Sequence, residues 1–80
     1  MKKIHVRYYA LLREQAGKSE ESLATEAGTP AALFSELHTR YPFTLSMQQL
    51  KVAINAEFRD WQTQLKDGDS VVFIPPVAGG

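Results

Sequence analysis

The group with the clearest reactive capacity in this sequence is the α-carboxylate of Gly80, at the end of Pro75-Pro76-Val77-Ala78-Gly79-Gly80. An α-carboxylate has a reference pKa of about 3.5, so it is ionised at neutral pH. Gly79 and Gly80 carry no Cβ atoms, and such a backbone enters a channel too narrow for other residues. Pro75 and Pro76 fix φ and donate nothing to a sheet ladder, so they end a strand and direct the chain away from the body. Six extended residues reach at most roughly 20 Å. An ionised carboxylate on such an arm can attack the α-phosphate of ATP in another protein's site. The resulting acyl adenylate is open to a sulfur, amine or thiol nucleophile. Gly-Gly taken alone also fits a frayed terminus. The apolar strand and the Pro-Pro pair before it favour a working arm.

No other constellation competes with it. Gly17-Lys18-Ser19 lacks the earlier glycine of a phosphate-binding loop, because Leu12 stands at that place. His5 and His38 have no companions at ligand spacing, so no metal site is expected. The serines lack a nucleophile-elbow context. Glu20-Glu21 reads as a solvated pair, and Asp67 and Asp69 suit a turn. The expectation is a chain with a nucleophile at its end and no active site of its own.

The elements that must present this arm follow from periodicity. Ile4, Val6 and Tyr8 alternate with Lys3, His5, Arg7 and Tyr9, which predicts a strand over residues 2–9 with one buried face. Leu11 to Ala16 are helix formers, and Gly17 follows as a C-cap. Residues 20–25 read as a polar edge strand anchored by Leu23. Thr29-Pro30 is an N-cap followed by a first-turn proline. Leu33, Phe34, Leu37 and Tyr41 then form one stripe, which predicts the main helix over residues 30–41. Leu45, Met47 and Leu50 lie in a partly helical connector. Residues 51–54 predict a third strand, Asn55-Ala56-Glu57 a turn, and Phe58 the start of a short return strand. Lys66-Asp67-Gly68-Asp69 predicts a turn. Ser70 to Ile74 is almost wholly apolar and predicts a strand covered on both faces by the core or by a partner. The order is ββαββ: a mixed sheet with one main helix on one face, an α+β fold. Residues 1–74 read as one domain and residues 75–80 as an extended tail.

Composition narrows the function. Nine Lys+Arg balance nine Asp+Glu, which argues against a nucleic-acid partner or an anionic membrane surface. Cysteine is absent, which excludes disulfides, thiolate zinc and a cysteine nucleophile. The hydrophobic share of 44% and charged share of 22% are those of a folded domain. Neither a signal-peptide core nor a run near the ~20 apolar residues of a spanning helix is present, so the expectation is a soluble cytoplasmic protein. An apolar patch on the far side of the sheet is also expected. Tyr9 points opposite to Ile4, Val6 and Tyr8, while Val72 and Ile74 point opposite to Val71 and Phe73. Phe58 is hard to place in so small a core. Tyr9, Phe58 and Ile74 therefore predict a partner-binding patch; for Phe58, capping the edge of the core is the alternative.

Val6-Arg7-Tyr8-Tyr9-Ala10-Leu11-Leu12-Arg13-Glu14, Leu65-Lys66-Asp67-Gly68-Asp69 and Phe73-Ile74-Pro75-Pro76-Val77-Ala78-Gly79-Gly80 resemble the small sulfur-carrier subunits of molybdopterin synthase. The resemblance covers the whole chain, and its most specific part is the closing Pro-Pro-Val-Ala-Gly-Gly. It implies a ubiquitin-like β-grasp fold. It implies that an activating enzyme related to the ubiquitin-activating enzyme adenylates Gly80 with Mg-ATP, and that a sulfur donor converts the terminus to a thiocarboxylate. The large catalytic subunit would then take in Gly79-Gly80, and sulfur would pass to precursor Z to build the dithiolene. No permanently bound cofactor is implied. The implied assembly is a heterotetramer, with Tyr9, Phe58 and Ile74 on the partner surface. Ala56 departs from the family, whose members often carry Gly there, and a Cβ disfavours a positive-φ turn.

Three other readings remain at this level. One is a carrier of the same fold serving thiamine synthesis or tRNA thiolation. Another is a protein modifier joined through Gly80 to a lysine. The third is an interaction module with an inert tail.

Overall fold

The computed structural model describes residues 1–76 of the chain. Strand β1 spans Lys2–Tyr8, helix α1 Ala10–Ala16, strand β2 Glu20–Thr25 and helix α2 Pro30–Arg40. A 3-10 turn at Met47–Gln49 leads into β3 (Lys51–Ile54), β4 (Glu57–Arg59) and β5 (Ser70–Ile74). The strands form one sheet in the order β2-β1-β5-β3-β4. β1 and β5 run parallel, and the other neighbours are antiparallel. The last strand in the chain is thus the middle strand of the sheet, and the short return at Phe58 is its fifth strand.

Side-chain alternation explains the layers. Ile4, Val6 and Tyr8 of β1 face α2, as do Val71 and Phe73 of β5 and Val52 of β3; all six are buried. Leu33, Phe34 and Leu37 of α2 meet them as one stripe. Phe34 stacks on Phe43 and presents its edge to Phe73 at a centroid distance of 5.3 Å. Trp61 stacks on the same Phe73 ring at 5.8 Å. Burying side chains of this size stabilises the fold by about 1.5–3 kcal/mol each. Within the chain β5 is covered by the core on one face only: Val71 and Phe73 are buried, and Val72 and Ile74 are half-buried on the other. Its apolar run reflects a central strand with one face left open.

Local signals account for the ends of the elements. The Thr29 hydroxyl accepts from the Ala32 amide at 3.1 Å, with Pro30 in the first turn. The helix stops at Arg40, and Tyr41 is its C-cap. Gly17 closes α1 in the left-handed conformation, φ 76°. Gly68, at φ 90°, makes the turn before β5. Its amide donates to the Lys3 carbonyl, and the Lys3 amide donates to Asp67 Oδ1. The aspartates of that turn thus hold β1 and β5 in register.

Candidate functional site

The open face of the sheet carries the candidate site. Register places Phe58 opposite Ala53, Ala53 opposite Val72, and Val72 opposite Arg7, in one row across four strands. Ile74 lies one step along, opposite Lys51. Between these side chains is an open groove of about 630 Å³, walled by Tyr9, Phe58, Ile74, Val72 and Ala53. Tyr9 is 43% exposed and Phe58 70% exposed, so their rings stand in solvent. Small Ala53 between Phe58 and Val72 makes the hollow.

Tyr9, Phe58 and Ile74, singled out from the sequence, thus share one concavity, and Phe58 is not a cap on the core. Val72 and Ala53 belong to the same wall, although sequence reasoning did not single them out as site residues. The parity of Val72 with Ile74 was an available signal. For Ala53 there was none, because an alanine in a strand reads as neutral.

Polar and charged groups edge the groove on the β1 side. His5 Nε2 lies 2.7 Å from Glu20 Oε1, and its Nδ1 is 3.2 Å from Ser22 Oγ. Arg7 reaches Glu20 at 4.0 Å. His38 is elsewhere, on α2, its ring 5.9 Å from Phe34. Neither histidine shows a catalytic geometry.

Backbone conformation at the rim is unusual. Ala10, Asn55 and Ala56 have φ of 51°, 52° and 71°. Ala10 follows Tyr9, where β1 has ended and the Tyr9 carbonyl accepts from the Leu12 amide at 3.1 Å. Asn55 and Ala56 form the two-residue loop between Ile54 and Glu57, and positive φ at both is the type I′ geometry that matches strand twist. The turn disfavoured by Ala56 is therefore adopted, at a cost of about 1–2 kcal/mol for a Cβ in this region.

The perturbed ionisations lie on the opposite face. Glu21 Oε2 accepts from the hydroxyls of Tyr8, at 2.5 Å, and Tyr41, at 2.8 Å. Lys18 Nζ is 3.5 Å from Oε1. Burial raises the Glu21 pKa, but the two hydroxyls and the ammonium outweigh it and hold the carboxyl below its usual range. Burial first, and then Glu21, push the Tyr8 phenol well above its ordinary value. This cluster joins β1, β2 and the end of α2, and has no opening toward the groove.

β5 ends at Ile74, which also walls the groove. Pro75 follows half-buried and Pro76 exposed. Val77, Ala78, Gly79 and Gly80 lie outside the described residues. No helix among the described residues is long and apolar enough to cross a membrane.

Residues 6–80 match the ThiS family. The chain belongs to the ThiS family. Among relatives of this ThiS-family chain, the molybdopterin synthase sulfur carrier subunit of Mycobacterium tuberculosis is 35% identical over 83 residues, covering all of both chains. A Pyrococcus furiosus structure described as molybdopterin converting factor subunit 1 superposes with a TM-score of 0.80 at 30% identity, covering 96% of this chain and all of the other. The small archaeal modifier protein 1 of Methanosarcina acetivorans superposes with a TM-score of 0.77 at 26% identity, over all of this chain and 98% of its own. The fold is the ubiquitin-like β-grasp.

Proposed function

We propose that this ThiS-family chain is the sulfur carrier subunit of a molybdopterin synthase, and that its sulfur rides on the carboxyl group of Gly80. The observation that carries the reading is the double role of Ile74, which ends β5 and walls the groove. A partner seated against Tyr9, Phe58 and Ile74 lies at the root of the tail and receives the residues beyond Pro75-Pro76. The end-to-end similarity to a named sulfur carrier subunit supports the same reading.

The proposed chemistry has two stages. In an activating enzyme, a Gly80 carboxylate oxygen bonds to the α-phosphorus of ATP, Mg-bound pyrophosphate leaves, and an acyl adenylate forms. Hydrosulfide released by a donor then attacks the acyl carbon, the acyl–phosphate oxygen bond breaks, AMP leaves, and loss of the thioacid proton gives a thiocarboxylate. The large catalytic subunit accepts Gly79-Gly80 into its site, where the sulfur passes to precursor Z. The carrier itself supplies no base, metal or cofactor. Docking confines the sulfur and raises its effective concentration at the acceptor.

Intact mass after incubation with the activating enzyme, Mg-ATP and a sulfur source tests the proposal. The expected gain equals the replacement of one oxygen by sulfur, localised to the peptide containing Gly80. An unchanged mass with an enzyme verified as active on its own carrier overturns the route. A second reading, a protein modifier, is favoured by the similarity to the Methanosarcina acetivorans protein. It predicts lysine-linked conjugates of this chain in place of a free thiocarboxylate.

A further inference from the structure

The β3–β4 turn, which carries Ala56 and leads to Phe58 on β4, is tied to the start of β5 by a single residue. The Asn55 amide donates to the Ser70 carbonyl at 2.8 Å. Its side-chain Oδ1 accepts from the Ser70 amide at 3.0 Å, and its Nδ2 donates to Asp69 Oδ1 at 3.0 Å. The side chain therefore takes over from the ladder where β3 ends, satisfying a backbone donor of β5 that the turn would otherwise leave open. Asp69 is fixed in its turn, because its Oδ2 accepts from the Lys66 amide at 2.8 Å.

The turn needs such a tie. Positive φ at two non-glycine residues persists only where surrounding contacts over-determine it. Asn tolerates this conformation, but Ala56 does not favour it. Released from Ser70 and Asp69, the Asn55-Ala56 pair has other conformations open to it. Phe58 is two residues beyond Ala56 on a three-residue edge strand. Its pairing opposite Ala53 sets its ring on the open face.

We infer that Asn55 is a positioning residue for partner docking: it clamps a strained turn to β5 and thereby holds Phe58 on the wall of the groove. The inference rests on the proposed docking role of that groove, but its structural half stands independently of any partner.

The experiment compares wild type, N55G, F58A and the N55G/F58A double variant. Glycine at 55 removes both side-chain bonds without a φ penalty. Calorimetric titration uses the large molybdopterin synthase subunit encoded by the same organism. The free chains are examined by NMR for the contact between the Phe58 ring and the Ala53 methyl group, and for the Ala56 coupling constant that reports positive φ. Wild type is expected to bind, and F58A to bind at least about tenfold more weakly, as an exposed aromatic anchor does. N55G is expected to stay folded, lose the ring–methyl contact, and bind about three- to tenfold more weakly, because the ring must now be ordered on docking. In the F58A background, N55G is expected to cost under about twofold, since Asn55 acts through that ring.

A full N55G penalty in the F58A background overturns the positioning role. So does an N55G chain that keeps both the NMR contact and wild-type affinity. A wild-type chain that does not bind the subunit overturns the proposed function instead, and the NMR comparison then decides whether Asn55 holds the turn. Should N55G not fold, N55D serves in its place: it keeps the acceptor for the Ser70 amide and sets a carboxylate against Asp69. Its expected effect has the same direction and is smaller.

Discussion

Two residues show how far a single side chain can be pushed by its surroundings. Ala56 holds φ 71° in a turn where glycine is at ease. Replacing it with glycine removes about 1–2 kcal/mol of steric cost, offset by about 0.5–1 kcal/mol of added freedom in the unfolded chain. A56G is therefore expected to stabilise the protein by about 0.5–1 kcal/mol, seen as a higher urea midpoint at unchanged slope. Glu21 is the other case. Its folded-state pKa lies below the ordinary 4.5, so its contribution is fully present above that value and is lost as pH falls through the lowered one. E21Q is expected to cost about 1–2 kcal/mol near neutral pH, since a carboxylate accepting charge-assisted bonds is replaced by an amide. The gap between E21Q and wild type should narrow as urea titrations are taken from about pH 7 to about pH 3. A gap independent of pH would mean that the carboxylate charge contributes nothing.

At the scale of elements, α2 depends on its first turn. Thr29 meets the Ala32 amide and Pro30 sets the first φ, so nucleation is favoured where the chain leaves β2. T29A is expected to lower stability by about 1 kcal/mol, measured by thermal melting followed by circular dichroism. The sheet sets a different condition. β5 is flanked by β1 and β3, and its open face gathers Val72 and Ile74 beside Ala53. Placing β5 in the centre brings its end, Ile74, to the wall of the groove rather than to an edge of the sheet.

At the scale of the whole molecule, the core and the proposed chemistry are separate. Among the described residues, the buried cluster ends at Phe73. Variants of the last two residues are expected to leave melting unchanged, because glycine has no side chain to bury. G79V, or one residue added after Gly80, is expected to abolish sulfur transfer, because a Cβ or a displaced carboxylate no longer fits a channel that accepts bare backbone. Sulfur transfer at the normal rate by either variant would sink the tail model, and a lower melting temperature would show that the tail also contributes to the fold.

Much of this was legible in the sequence. Period-two alternation in residues 2–9 identified β1 and its inner face, and Thr29-Pro30 with the Leu33–Leu37 stripe located α2, because these signals act over a few residues. The opposite parities of Val71 and Val72 implied an open sheet face. Tertiary structure alone decided the rest. The central position of β5 depends on pairing with strands distant in the sequence, which no local pattern specifies. Ala53 became the floor of a groove only because Phe58 and Val72 flank it. Ala56 entered a turn its own side chain disfavours because Asn55 found Ser70 and Asp69 across the sheet. Local propensity is a matter of about 1 kcal/mol per residue, and a few well-placed hydrogen bonds from another strand are enough to override it.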